Sequence, residues 1–366
     1  MPRLVATTVQ APPRPEVEFV FSPVLDMLNA MYFTRFAIDA EGVEGWPLEL
    51  RKEMAPDLLE ELDYLYWFPN GAGLMGQFLD MLWSHPEAWE SIDSVIAFIR
   101  DMEPGIGPDQ QNAGIQGLAY YLACVRDEPV IHSDDPREAL RLKITSDGVE
   151  DVDSVMRLWD RPEELRQRMI RLIERFHDEH YSEQLPLIRE SLEGSATAHR
   201  GITRDEAAQL IQKLTGRDSM CLEDVCDAKY ERVIFSPSLD MGPYISCAAL
   251  DGPHPVHGMF YPCEAEFVHG DLPHATDVQR TARLYKALSD EGRLRILHML
   301  KDGELYAQEI VDKTNLHQSV VSRHLWLLKA VGLVDYRKQN NMKFYSLNPR
   351  VRDELLTTMD FFTAGR

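Results

Sequence analysis

The feature that most narrows the fold is a change of hydrophobic period within the last ninety residues. From Asp277 to Ala330 apolar residues recur three and four apart in four runs, and from Leu333 to Leu347 they alternate two apart around a polar tip. The first run, TDVQRTARLYKALSD (Thr276 to Asp290), carries Val278, Ala282, Tyr285 and Leu288 as its apolar stripe. Asp290 is placed to cap the second, GRLRILHML, where Leu294, Leu297 and Leu300 repeat every three residues. The third, ELYAQEIVDKT, stops at the turn Asn315-Leu316-His317, and the fourth, QSVVSRHLWLLKAV, is closed by Gly332. Leu333-Val334-Asp335-Tyr336 and Lys343-Phe344-Tyr345-Ser346-Leu347 then read as a hairpin around RKQNNM.

The fourth run has two unlike faces. Val321, Leu325 and Leu328 fall at i, i+4 and i+7 and must pack inward. Near its N-terminus Gln318, Ser319, Ser322, Arg323 and His324 offer hydroxyls and amides for phosphate, and groups able to bond base edges bidentately. The hairpin tip carries Arg337, Lys338, Asn340, Asn341 and Lys343, which is too polar for a core and suits an adjacent groove and backbone. Double-stranded DNA is the partner these residues fit.

ALSDEGRLRILHML, the helix-turn-helix pattern and LHQSVVSRHLWLLKAVGLV resemble the ArsR family of winged-helix regulators from Arg280 to Asn348, with Ser319 to Val334 the most specific stretch. The resemblance implies a sequence-specific DNA-binding transcriptional regulator, a repressor by preference. It also implies a homodimer joined through the first and last helices and reading a near-palindromic operator. In this chain the last helix would be Pro349 to Phe362, with Leu355, Met359 and Phe362 on one face. The chain departs from the family at its metal routes. Where many members have a pattern similar to ELCVCDL, Tyr306 and Gln308 stand in place of the two thiolates, and residues 349–366 contain no His.

A chain of 366 residues exceeds what one core usually serves. The expected class is mainly α: a disordered Pro-rich tail over 1–16, a helical N-terminal domain over 17–270 with a small antiparallel sheet near 230–269, and a winged helix-turn-helix (α+β) over 277–366. Capping signals support the helices: Asp160 with Glu163 ahead of Leu165, Met169, Leu172 and Phe176, and Thr203 with Glu206 ahead of Leu210 and Leu214. FSPVLDM at 21–27 nearly repeats as FSPSLDM at 235–241, and both suit a turn followed by a helix start. Charge divides sharply. Residues 277–366 carry 15 Lys+Arg against 11 Asp+Glu, a net of +4, while the other 276 residues carry 23 against 49, a net of −26. That confines DNA contact to one end and makes the rest repel phosphate.

No apolar signal-peptide core stands in the first twenty residues, no run of 18 apolar residues occurs, and five sparse cysteines suit a reducing compartment, so a cytoplasmic protein without membrane contact is expected. No cofactor is expected. Metal candidates are His254, His257, Cys263 and His269, whose ligand types suit zinc but whose spacing matches no known ribbon or finger, and His177 with His180. Solvated loop histidines and buried structural cysteines account for the first set, and the wet face of a helix accounts for the second. Gly71-Ala72-Gly73-Leu74-Met75-Gly76 satisfies a dinucleotide-binding pattern by letter, but LLEELDYLYWF before it reads as helix rather than the required strand. No P-loop, nucleophile elbow or HExxH is present, and the reading is non-enzymatic. Tyr64, Tyr66, Trp67, Phe68, Phe78, Met81 and Trp83 crowd into twenty residues as core or as the lining of an effector pocket. Trp326 lies with Ser322 and Arg323, off the core stripe, and should pack on the N-terminal domain or a dimer mate. The reading is therefore a regulator whose N-terminal domain senses a small-molecule effector. The alternatives are control by a protein partner, or an enzyme domain fused to a DNA reader.

Overall fold

The computed structural model describes residues 16–36, 46–67, 73–122, 133–146, 149, 151–215, 229–239, 246–263, 275–339, 342–349, 351 and 355–356. The tail at 1–15 and the segment 264–274, with His269, lie outside them. The class is mainly α, as the periodicities predict. Strand β1 (Glu16–Phe19) leads into α1 (Pro23–Phe36), followed by α2 (Trp46–Glu53), α3 (Pro56–Trp67), α4 (Leu74–Leu82), α5 (Ile92–Asp101) and α6 (Ile115–Tyr120). Then come α7 (Pro136–Ser146), α8 (Val152–Trp159), α9 (Pro162–Phe176), a π-turn (His177–Tyr181), α10 (Ser182–Ala198) and α11 (Arg204–Thr215). No helix among the described residues is long and apolar enough to cross a membrane.

Helix α1 is the axis of this region. Every residue from Val24 to Met31 is buried, so the helix has no wet face and must lie inside the bundle. Its start is fixed as FSPVLDM suggests: Ser22 Oγ accepts from the Leu25 amide at 3.1 Å and donates to the Trp89 carbonyl at 2.7 Å, with Pro23 at the first helical position. Two of its buried polar side chains are tied down, as burial of an unpaired polar group is costly. Tyr181 Oη donates to Asp26 Oδ2 at 2.7 Å, and Asn29 Nδ2 donates to Ser238 Oγ at 3.1 Å.

The second copy behaves differently. FSPS lies within β2 (Arg232–Ser238), not at a helix start, because pairing with β4 (Val256–Pro262) runs through it from Arg232↔Val256 to Ser238↔Pro262. With β3 (Cys247–Leu250) the sheet has the order β1-β2-β4-β3. The β3–β4 pair is antiparallel as expected, but β2 runs parallel to both β1 and β4, so the sheet is mixed. The reason is two-sided burial. Ile234, Val256 and Phe260 face the helical bundle, while Val233, Phe235, Met259 and Tyr261 join Phe19 and Ala207 and Ile211 of α11 in a second core. A sheet covered on both faces can run parallel and has continuous apolar strands. Strand β1 itself was not anticipated; it spans the expected tail boundary at residue 16. Pro237 falls beyond the end of β1, where β2 has one neighbour and the missing N–H costs least. Gly258 in β4 is small by necessity, since a Cβ there would lie 2.1 Å from the Trp83 ring.

Of the two expected capping boxes, Thr203 and Glu206 form one: the Thr203 amide donates to Glu206 Oε2 at 2.7 Å, and the Glu206 amide to Thr203 Oγ1 at 3.3 Å. Asp160 does not. It ends α8 and pairs with Arg137, while Arg161 precedes Pro162 at the start of α9 and Glu163 turns to Arg166 and Gln167. The face it was to introduce is nonetheless core: Leu165, Met169, Leu172 and Phe176 are all buried.

Candidate nucleic-acid interface

The C-terminal elements are α12 (Ala275–Leu288), α13 (Glu291–Leu300), β5 (Leu305–Tyr306), α14 (Ala307–Thr314), α15 (Gln318–Ala330), β6 (Val334–Gln339) and β7 (Met342–Leu347). Asp290 caps α13, accepting from the Arg293 amide at 2.9 Å, and that bond holds its carboxyl below the usual range. Helix α14 starts three residues later than expected, because Leu305-Tyr306 pair with Tyr345 and Phe344 as a third strand, giving the order β5-β7-β6. The turn into α15 needs a left-handed residue, and Asn315 supplies it at φ 55°. Gly332, at φ 77°, ends α15, with the Leu333 amide donating to the Leu328 carbonyl at 2.9 Å.

One small core orients everything: Leu284, Ile296, Leu300, Ile310, Val321, Leu325, Leu328, Leu333 and Val334. Burying Val321, Leu325 and Leu328 turns the opposite side of α15 outward, and Gln318, Ser322 and Arg323 are exposed there. No carboxylate among the described residues lies within ion-pair distance of Arg323. Ser319 lies in the same first turn. His324 does not join them. It is 8% exposed and turns inward, with Nε2 3.6 Å from Asp290 Oδ1. Its spacing of three from Val321 and four from Leu328 was the available signal, since those intervals share a helix face.

In the hairpin, Arg337 is exposed but engaged. It pairs with Glu304 through two hydrogen bonds, one of 2.8 Å, and its guanidinium lies 4.8 Å from the Phe344 ring. That pairing raises the Arg337 pKa and lowers that of Glu304. Lys343 is exposed, with Nζ 5.1 Å from the Tyr336 ring. Lys338 lies in β6, and Asn340 and Asn341 fall outside the described residues.

The family description "Bacterial regulatory protein, arsR family" matches residues 290–336. The cadmium resistance transcriptional regulatory protein CadC homolog of Staphylococcus aureus is 32% identical over 94 residues, covering 24% of this chain and 78% of that protein. The transcriptional repressor SdpR of Bacillus subtilis is 31% identical over 83 residues, covering 22% of this chain and 92% of its own length. The chain belongs to the ArsR family. Among solved structures, HlyU from Vibrio cholerae is 38% identical, covers 23% of this chain and 94% of its own, and has a TM-score of 0.20.

Other expected ArsR features are distributed unevenly. The stripe assigned to the first helix is rotated: Thr281, Leu284 and Ala287 are buried, whereas Ala282 is exposed and Tyr285 is 42% exposed. The inward face follows the neighbours in α13 and α15, which the helix alone cannot reveal. Leu355 is exposed, and Met359 and Phe362 lie outside the described residues. In α13 the buried residues are Arg293, Ile296 and Leu300, and Leu294 faces solvent. Arg293 is held by the Ala287 and Lys286 carbonyls at 2.6 and 2.9 Å.

Among the described residues the metal candidates are not assembled. His254 is exposed and pairs with Glu231 at 2.9 Å, Cys263 is buried with Sγ 3.7 Å from the Ser191 carbonyl, and His257 is fully buried beside Tyr230, ring centroids 5.3 Å apart. No group of three or more His, Cys, Asp or Glu able to hold a metal occurs among the described residues. Burial pushes the His257 imidazole down to about 4, with Lys229 adding to the effect. His177 bonds its neighbour Asp178 at 2.7 Å and His180 packs against Phe176. Among the described residues α3, not a strand, precedes the glycine-rich pattern; Gly73 takes φ 84°, and a Cβ there would lie 2.1 Å from the Tyr66 carbonyl oxygen. Phe78, Met81 and Trp83 of the aromatic stretch are core, at most 1% exposed.

Trp326 is the point where the two parts meet. Its ring lies 5.0 Å from that of Phe36, the last residue of α1, at 60°. Leu327 and Ala330 of α15 and Ala287 of α12 belong to the same buried cluster as the N-terminal helices.

Proposed function

We propose that the protein is a sequence-specific transcription regulator that reads duplex DNA through α15 and steadies itself on the backbone through the β6–β7 hairpin. The observation that carries this is the outward first half of α15. Arg323 stands exposed beside Gln318 and Ser322 while Val321, Leu325 and Leu328 are locked in the core, which is the geometry of a helix that places side chains on base edges. The residues have divided roles. Arg323 and Gln318 discriminate bases, Ser319 and Ser322 bond phosphate, and Lys338 and Lys343 with Asn340 and Asn341 contact the neighbouring groove. Arg337 takes part once it exchanges Glu304 for phosphate.

The regulator acts as a repressor in the cytoplasm and as a homodimer. Exposed Tyr285 and Leu355 form part of the seam, and two copies of α15 read a near-palindrome. An effector held by the N-terminal helices sets its occupancy of DNA, by binding unequally to two arrangements of the chain. The test is selection of duplexes from a randomised library by the full chain, followed by sequencing. An inverted repeat should be enriched, and Arg323→Ala should erase preference at one base pair per half-site. No enrichment at any salt concentration, even by a chain in which the contact of Phe36 with Trp326 has been removed, overturns the assignment.

A further inference from the structure

We propose that the C-terminal end of α1 caps the reading face of α15, so that the protein in this conformation refuses duplex DNA and must part from α1 to accept it. This rests on α15 being the reader. Trp326 is four residues after Ser322 and three after Arg323, so at 100° per residue its side chain points between theirs, one turn further along. It lies on the outward face, opposite Val321, Leu325 and Leu328, and that is the face Phe36 covers. Leu327 and Ala330, 3% and 6% exposed, are covered with it. The first half of the face is open and the second half is closed.

The geometry leaves no room for both partners. A helix with its side chains is about 10–12 Å across, and the major groove that must take it is only about 12 Å wide and 8.5 Å deep. A reading helix seated there has a sugar–phosphate wall on each side. An aromatic ring 5.0 Å from Trp326 occupies the space one of those walls needs. Nor is Phe36 a stray side chain. Its ring stacks on Tyr32 at 4.6 Å and 27°, Tyr32 lies 6.1 Å from Tyr66, and Tyr66 Oη donates to the Leu28 carbonyl at 2.8 Å. The cap is thus bolted to a helix whose residues from Val24 to Met31 are all buried. Electrostatics act in the same sense, because the part that carries the cap has a net charge of −26 and the part it covers +4.

The test uses the full chain and a pool of mixed-sequence duplexes, with binding read by fluorescence anisotropy. Phe36→Ser should raise affinity tenfold or more over the unaltered protein, with an unchanged circular dichroism spectrum. Hydrogen–deuterium exchange on the unaltered chain gives a second reading that needs no variant. Saturating DNA should speed exchange in the last turn of α1, from Met31 to Phe36. Equal affinity of the two chains, or an α1 end that DNA leaves unchanged or protects, overturns the cap while the DNA-reading assignment stands. If neither chain binds any duplex even at low salt, the reading assignment itself falls and takes the cap with it.

Discussion

In the four-stranded sheet, residues 16–19 pair with residues 232–235, whereas in the three-stranded sheet β6 and β7 meet at Gln339↔Met342 within a single hairpin. The first sheet draws together distant parts of the chain and is buried on both faces. The second is local, and its tip is given over to charged and amide side chains. The difference teaches how labour is divided. Where partners are far apart in sequence, the strands are held by packing and tolerate little change. Where they are adjacent, the turn holds the register and the side chains are free for a ligand.

The sharpest way to break this comparison is Phe235→Ala. Phe235 is fully buried and stacks on Phe19 at 4.8 Å and 19°. Removing it should destabilise the N-terminal region by ~3–5 kcal/mol in denaturant unfolding, while Phe344→Ala in the half-buried hairpin should cost far less.

A second test uses pH. His257, in β4, is fully buried, and neither ring nitrogen has a hydrogen-bond partner among the described residues. With its pKa pushed down to about 4 in the fold against 6.5 when unfolded, the unfolded chain binds the extra proton between those values. Stability is therefore complete above pH 6.5 and falls as pH drops toward 4, by roughly 3 kcal/mol from this group. His257→Leu should flatten that slope in thermal melts at pH 4.5 to 7; an unchanged slope would assign the acid sensitivity to other groups.

Smaller effects belong to the DNA face. Arg323→Ala should weaken specific binding by ~1–3 kcal/mol and relax one position per half-site in competition assays. Lys343→Ala should weaken all sequences alike, with the slope of log affinity against log salt shallower by about one unit, as for one lost phosphate contact. If Arg323→Ala behaved like Lys343→Ala, both elements would be contacting backbone only and the reader would lie elsewhere.

What the sequence disclosed follows the range of the interactions. Asp290 as a cap, the turn at Asn315, and Val321, Leu325 and Leu328 as core are set within a few residues, and all three are legible by eye. The same holds for the family, because its specific stretch is contiguous. What failed to read was set by neighbours. The buried side of α12 depends on α13 and α15, and the parallel pairing of β2 depends on a strand 216 residues upstream. Leu305-Tyr306 became a strand because β7 lies beside it. His324 is an instructive miss: grouped with Arg323 by chemistry, it belongs with Val321 and Leu328 by spacing. Trp326 read as an outward residue needing cover, but nothing in its surroundings in the chain pointed to Phe36.

The pairing of β1 with β2 has a consequence for synthesis. A ribosome adds about 5–20 residues each second, so β1 emerges roughly 10 to 40 s before its partner strand. Throughout that interval the edge of β1, with Val17 and Phe19 uncovered, is presented with its intended neighbour still unmade, a template for wrong pairing. The module that carries α15 has no such wait for its own core, whose residues from Leu284 to Val351 lie within about seventy positions and can pack as they leave the exit tunnel. A nascent chain of this kind is most open to wrong pairing early rather than late, before residues 232–235 are made.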